Sequence, residues 1–191
     1  MVLQGQQPGE KKLDDLFSGG GQFWENVDWS RTKAYAMGLG QIYLNLRGRE
    51  AKGIVAPGAE AKDVADAIAA RLMTLTDPKT GERIVDVVYK SWDVYSGPYF
   101  DNAAELQVGF ADGYRVSWQT ALGGAPPGIV YPNMKKWSGD HGSYDYRSLP
   151  GTLISSRKID ATDPRIIDIA PTVLKYFGVQ IPSDVDGKPL F

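Results

Sequence analysis

A polar turn around the only histidine of the chain is the segment best suited to chemistry. It reads WSGDHGSYD over residues 137–145 and places glycines close to His141 on both sides. Neutral imidazole is a standard ligand for zinc, and flanking glycines let the backbone approach a bound ion or phosphate closely. A lone histidine cannot complete a zinc site with three protein ligands. The residues alone therefore leave two interpretations open, a metal ligand and a surface or structural histidine.

Other side chains with chemical potential are weaker candidates. Scattered basic residues could steer a phosphate, but they are also typical of solvated faces: Arg31, Arg47, Arg49, Lys135 and Lys136. Ser138 and Ser143 have only His141 nearby, so no serine-hydrolase triad is expected. Several aromatic side chains could form a platform for a sugar or a base, although strand alternation at Tyr114 and Trp118 favours sheet packing: Trp92, Tyr95, Tyr99, Tyr114 and Trp118.

Composition narrows the classes of function. With 191 residues, of which 42% are hydrophobic, the chain is long enough to bury a core. A formal net charge of -2 argues against a nucleic-acid polymer as partner. The absence of cysteine excludes disulfides, a thiolate nucleophile and a cysteine-based zinc site. Residues 1–12 lack the apolar stretch of a signal peptide or membrane span, so we expect a soluble chain without a membrane segment, its compartment undetermined.

The first half of the chain predicts a strand, a helix and a turn in that order. An extended run over residues 33–46 is interrupted near Gly38 and Gly40. Apolar residues then recur at helical spacing and predict a helix over about 60–75: Val64, Ala65, Ile68, Ala69, Leu72 and Leu75. Residues 77–81, DPKTG, predict the turn that ends it.

The second half predicts short strands and a closing helix. Alternation indicates a strand over 85–89 and a hairpin or bent strand pair over 105–118. A short strand is expected at 152–155. The last helix is expected over about 169–177, with Asp168 as its N-cap. Its buried face is expected to consist of Val173, Leu174 and Phe177.

Three segments near the end resemble a known family in their order along the chain. They read KKWSGDHGSYDYRSLPGTLISSRKI over 135–159, IIDIAPTVL over 166–174 and DVDGKPL over 184–190. Together they look like the C-terminal end of phosphodiesterase and nucleotide pyrophosphatase type enzymes of the alkaline phosphatase superfamily. Earlier segments extend the resemblance to nearly the whole chain: VDWSRTKAY at 27–35, GQIYLN at 40–45 and GYRVSW at 113–118.

This resemblance implies hydrolysis of a phosphodiester, pyrophosphate or phosphomonoester by two divalent metal ions, usually zinc, around a Thr or Ser nucleophile. His141 matches the last histidine ligand of the family. Asp140-His141 could instead be the family's adjacent Asp-His pair, which follows a strongly apolar strand. Because residues 133–137, NMKKW, make a poor buried strand, we favour the first assignment and interpret Asp140 as a hydrogen-bond partner or orienter.

The resemblance also implies which parts are missing. The chain has no second histidine and no match to the nucleophile segment, so we expect a truncated form that is inactive in isolation and supplies at most one metal ligand. The expected architecture is an α/β fragment: residues 1–26 a loop-rich arm, 27–132 an α+β insertion or cap, and 133–191 the C-terminal part of the catalytic core.

An incomplete central sheet would leave a strand edge and an apolar face uncovered, which predicts self-association. The family resemblance would allow a periplasmic or secreted location. An alternative of a different class is a non-catalytic recognition domain that binds a glycan or a protein through the aromatic strands of residues 106–118, with His141 incidental.

Overall fold

The chain forms two separate compact units, Met1–Leu149 and Pro150–Phe191, in the computed structural model. The structure describes residues 27–117, 128–134, 145, 147–148 and 150–191. The predicted N-terminal arm therefore lies outside the described residues. Seven residues singled out by the sequence also lie outside the described residues: Trp118, Lys135, Lys136, Ser138, Asp140, His141 and Ser143.

The first unit contains a four-stranded antiparallel sheet. Its strands are β1 (Ala34–Met37), β2 (Gln41–Leu44), β3 (Val85–Lys90) and β4 (Leu106–Phe110), in the spatial order β1-β2-β4-β3. The predicted interruption near Gly38 and Gly40 is a hairpin turn, in which both glycines have the positive φ that other residues avoid. One predicted strand is therefore two strands of a hairpin.

One face of this sheet is covered by α1 (Ala59–Met73), close to the helix predicted over 60–75. Its most buried residues are alanines, which allow the helix to lie close to the apolar sheet residues Leu44 and Leu106. Val64 and Ile68 pack around this contact and are partly buried. The turn predicted at 77–81 is present, with the Gly81 amide donating to the Asp77 carbonyl oxygen at 2.8 Å.

Of the hairpin or bent strand pair predicted over 105–118, the first strand and the turn at 111–113 are present, whereas the second strand is wrong in its described part, because residues 114–117 form no strand. β4 ends at Phe110 because its partner β3 begins at Val85, directly opposite. Beyond this point the chain turns, and Tyr114 leaves the ladder to pack against the cluster of Ile84 and Val85. Two shorter elements complete the connection from β3 to β4: a helical turn α2 (Ser91–Val94) and a 3-10 turn (Phe100–Asn102).

The second unit contains a 3-10 turn (Ile166–Asp168) that leads directly into α3 (Ile169–Tyr176), near the predicted helix. The strand predicted at 152–155 is wrong. These residues have no ladder partner among those described, and Ile154 is 90% exposed. A short apolar run needs a neighbouring strand to become part of a sheet, and this unit supplies none in its described residues.

Two details of α3 also differ from expectation. The carboxylate of Asp168 makes no capping hydrogen bond to the helix and binds other backbone amides instead. The expected buried face is largely exposed, with Phe177 at 71%, whereas Pro171 and Thr172 are buried. The reason is that the C-terminal segment packs against the side of α3 that carries Thr172.

The structure confirms the prediction of a mixed α/β chain at the level of class. The described sheet is antiparallel throughout. No helix among the described residues is long and apolar enough to cross a membrane.

Candidate functional site

The structure describes the end of the polar turn but not its histidine. His141 and Asp140 lie outside the described residues, so their predicted roles stay predictions. Asp145, four positions after His141, is described and is 1% exposed. The turn is therefore followed by a buried carboxylate, and the contacts of that carboxylate define the first candidate site.

Asp145 lies against the face of the sheet opposite α1. The hydroxyl of Tyr89, on β3, donates to its Oδ1 at 3.2 Å. The guanidinium of Arg147 donates through Nε to Oδ1 at 2.9 Å and through Nη2 to Oδ2 at 2.5 Å. The backbone amide of Arg147 adds a bond to Oδ1 at 3.0 Å. Each carboxylate oxygen therefore has at least one donor, and this side chain attaches the segment after His141 to β3.

A glycine makes this attachment possible. A Cβ atom on Gly109 of β4 would lie 2.5 Å from Cγ1 of Val87 and 3.3 Å from Cβ of Asp145. Any larger residue would push both neighbours away. A glycine within an alternating strand often marks such a close approach, and here the approaching group is Asp145.

The hydrogen bonds determine the protonation state of Asp145. The bonds from the Arg147 side chain are the largest influence and lower the pKa of the carboxyl to about 2, against the opposing effect of burial. The same pairing raises the pKa of Arg147. Both groups are charged at neutral pH.

A surface pocket of about 400 Å³ opens beside this pair. Its described lining consists of Arg83, Asp86, Asp145, Arg147 and Ser148. Arg147 reaches it from a half-exposed position, since 49% of its side chain is accessible. The pocket thus combines two guanidinium groups, a hydroxyl and an accessible carboxylate on one side of the sheet.

A second candidate site lies in the second unit, around Asp168. Its carboxylate accepts from the amide of Arg165 at 2.9 Å and from the amide of Lys188 at 2.8 Å. The hydroxyl of Thr172 donates to the Asp168 carbonyl oxygen and accepts from the Leu190 amide at 2.9 Å. We call Asp168, Thr172 and the segment 187–190 the C-terminal clasp.

The clasp also depends on close backbone packing. A Cβ atom on Gly187 would lie 2.0 Å from the carbonyl oxygen of Ile167, so only glycine fits. The amides of Lys188 and then Arg165 lower the pKa of Asp168, which keeps the carboxylate charged. A neighbouring pocket of about 320 Å³ is lined by clasp residues and by Asp160 and Asp163. The hydrogen bonds of Asp168 go to the backbone, which indicates a structural role.

The basic residues weighed as phosphate-steering groups have different surroundings. Arg49 donates to both carboxylate oxygens of Glu105, to Glu50 and to the Leu44 carbonyl oxygen, so its guanidinium is occupied within the protein. Burial opposes its charge, but the bonds to Glu105 and Glu50 outweigh burial and raise the pKa of Arg49. Its role is structural. Arg31 and Arg47 are exposed.

The four described aromatic residues of the predicted platform have different surroundings, and the fifth, Trp118, lies outside the described residues. Tyr114 donates its hydroxyl to Asp77 and packs on the core, and Trp92 lies under the Lys62 ammonium at 5.1 Å. Tyr95 and Tyr99 are exposed, at 52% and 80%. β4 itself is largely buried, so its residues present little surface to a glycan or protein.

In the part of the chain that is described, no group of three or more His, Asp and Glu side chains could hold a metal ion. The described residues therefore do not fit a two-metal centre by themselves, and we derive no catalytic step through one. Comparison with known proteins adds no family: no protein-family model, curated protein or solved structure matches the chain.

Sequence analysis missed the pairing of Asp145 with Arg147, as well as the pocket beside it. One signal could have pointed there: Gly109 lies inside a strand, where a glycine often marks the close approach of another group. This signal does not identify the segment that approaches, since that segment is over thirty residues away in sequence.

Proposed function

We propose that this chain is the C-terminal part of a metal-dependent phosphoester hydrolase with an alkaline-phosphatase-like fold. Its substrate class is a phosphodiester, pyrophosphate or phosphomonoester. His141 supplies one ligand to a centre of two divalent ions, preferably zinc, and Asp140 orients it. The remaining ligands and the nucleophile come from a part of the enzyme that this chain does not contain.

The observation that carries the proposal is the agreement of several separated sequence segments with the family in the same order. Two of them meet in the C-terminal clasp, because Asp168 and Thr172 belong to IIDIAPTVL and Lys188 and Leu190 belong to DVDGKPL. Their most specific residues, an Asp, a Thr and a Gly, are those whose hydrogen bonds or small size the contact requires. This supports the idea that the two segments form one unit.

Asp145, four residues after His141 in sequence, accepts a hydrogen bond from Tyr89 of β3 and lines a surface pocket. Buried and hydrogen-bonded residues next to a ligand are a common means of orienting it. The proposal assigns that supporting role to Asp145 and Tyr89.

The test is to read the gene upstream of the codon for Met1. The proposal requires a Thr or Ser nucleophile, an Asp-x-x-x-His pair and a Ser-Asp-His-Gly segment in one continuous reading frame. The product of such a frame should hydrolyse a nitrophenyl phosphodiester or phosphomonoester, lose activity with a chelator, and regain it with zinc.

In that longer product, His141→Ala should lower kcat/KM by at least about a hundredfold, because a missing ligand weakens the metal. Asp63→Asn, an exposed change on α1, is the control. An upstream frame that lacks these segments would contradict the proposal and favour a recognition domain.

A further inference from the structure

The pocket beside Asp145 has a composition that suits a particular class of ligand. Arg83 and Arg147 both line it, together with the hydroxyl of Ser148. Arginine is suited to oxyanions because its planar guanidinium presents several N–H donors in a fixed geometry. We infer that this pocket binds a phosphate-type oxyanion carried by a small ligand.

Arg147 is held ready for such a ligand. Its Nε and Nη2 atoms face the buried carboxylate of Asp145, which fixes the orientation of the guanidinium. Among the described residues its Nη1 atom has no hydrogen-bond partner, so the N–H groups of Nη1 can donate to a ligand. Preorganised donors lose less conformational entropy when they bind.

The guanidinium of Arg83 supplies a second set of donors, few of which are hydrogen-bonded to described residues. Its one hydrogen bond to a described residue runs from Nη2 to the Val85 carbonyl oxygen at 3.3 Å. With Ser148, the pocket offers donors from three side chains. A tetrahedral phosphate presents three oxygens in different directions, whereas a carboxylate presents two oxygens in one plane. We therefore expect phosphate to engage more of these donors than a carboxylate does.

The pocket contains two arginines and two aspartates, so the positions of its hydrogen-bond donors, and not its net charge, would select a ligand. Asp145 already neutralises Arg147, and the carboxylate of Asp86 opposes an anion near Arg83. The net field is therefore small. Asp86 can instead accept a hydrogen bond from a hydroxyl or amino group of the same ligand. A volume of about 400 Å³ holds a phosphate with a small organic group.

The test is an NMR titration of the full 191-residue chain with inorganic phosphate, at constant ionic strength with chloride as reference and a chelator present. We expect saturable shifts at the amides of Asp86 and Ser148 and at the Nε–Hε groups of Arg83 and Arg147. Because no metal is present, the result is independent of the proposed hydrolase activity.

Three variants make the site specific. Arg83→Ala should weaken phosphate binding about tenfold, and Asp86→Asn should strengthen it about threefold, since the like charge is removed. Arg147→Lys keeps a cation beside Asp145 but loses the outer donor edge, so it should also weaken binding about tenfold. Arg71→Ala, an exposed arginine of α1 that does not line the pocket, should have no effect.

Acetate in place of phosphate should bind at least about tenfold more weakly, because it cannot use all three donors. Equal binding of acetate would overturn the assignment to phosphate. Absence of saturable shifts, or equal affinity in wild type and Arg83→Ala with the amide spectrum of the fold unchanged, would overturn the site itself.

Discussion

At the scale of single residues, Asp145 is a buried carboxylate that contacts the sheet through the hydroxyl of Tyr89 on β3. A buried carboxylate is costly unless it is paired, and here it accepts from Arg147, Tyr89 and a backbone amide. The partners are unequal in exposure. Arg147 can return to water if the pair is broken, whereas Asp145 cannot.

Replacing Asp145 should change how the free energy of unfolding depends on pH. The folded-state pKa of about 2 lies below the ordinary value near 3.9, so Asp145 contributes stability above pH ~4 that is lost as pH falls toward about 2. Asp145→Asn should lower the free energy of unfolding by about 1–2 kcal/mol at neutral pH. The gap between variant and wild type should shrink over that acidic range.

The measurement is urea unfolding followed by tryptophan fluorescence across a pH series. Asp63→Asn removes an exposed carboxylate from α1 and should leave the curve of stability against pH unchanged. A constant gap between Asp145→Asn and wild type from pH 7 to pH 2 would contradict the proposed pairing.

At the scale of elements, the C-terminal clasp holds α3 to the end of the chain. The hydroxyl of Thr172 makes two hydrogen bonds in this contact. It donates to the carbonyl oxygen of Asp168 and accepts from the amide of Leu190. The apolar residues of α3 contribute little burial among the described residues, since Val173 and Tyr176 are exposed. The contact with the terminal segment thus relies on hydrogen bonds.

Thr172→Val should therefore destabilise the second unit although its shape is conserved. The substitution removes the acceptor of the buried Leu190 amide and one bond to the Asp168 carbonyl oxygen, which should cost about 2 kcal/mol. Hydrogen exchange of the Leu190 amide should become faster by at least about tenfold. Thr172→Ser keeps the hydroxyl and is the matched control. Equal exchange in the two variants would show that the hydroxyl does not hold the segment.

At the scale of the whole molecule, the first expectation concerns activity. Under the proposed function, the nucleophile and the other metal ligands belong to a part of the enzyme outside this chain. The purified chain should then not hydrolyse a nitrophenyl phosphate or phosphodiester above the buffer background, with or without added zinc. Sustained, chelator-sensitive turnover by this chain would contradict our interpretation of His141 as one part of a larger site.

The second expectation concerns association. The 42-residue second unit has few buried residues among those described, and its large apolar side chains are exposed: Leu153, Ile154, Ile166, Ile167, Ile169, Val173, Tyr176, Phe177 and Val179. Exposed apolar surface of this extent favours burial against another copy. We expect concentration-dependent self-association in sedimentation velocity experiments over a dilution series.

The double substitution Ile154→Ser with Phe177→Ser should raise the dissociation constant at least tenfold, since a buried side chain of this size contributes about 1.5–3 kcal/mol. Tyr99→Ser, an exposed aromatic change in the first unit, is the control. A wild-type chain that stays monomeric at all concentrations and binds no apolar dye would contradict this expectation.

The local pattern predicted those elements whose burial depends on their own periodicity. The apolar residues of α1 recur every three to four positions, and those of β3 and β4 alternate, so these elements were identified within a few residues. The glycines at 38 and 40 marked an interruption of one predicted strand, but not the hairpin that pairs β1 with β2. The absence of a second strand after β4 was not predictable, since a strand requires a neighbouring partner that the local pattern does not reveal.

Tertiary structure alone decided what the polar groups do. Asp145 pairs with Arg147, two residues further on. It also meets Tyr89, which is far away in sequence, because the fold places Asp145 against β3. Asp168 was expected as a helix cap, but the segment at 187–190 uses its carboxylate. Apolar periodicity is read from neighbours in sequence, whereas a hydrogen bond requires a partner whose position only the folded chain determines.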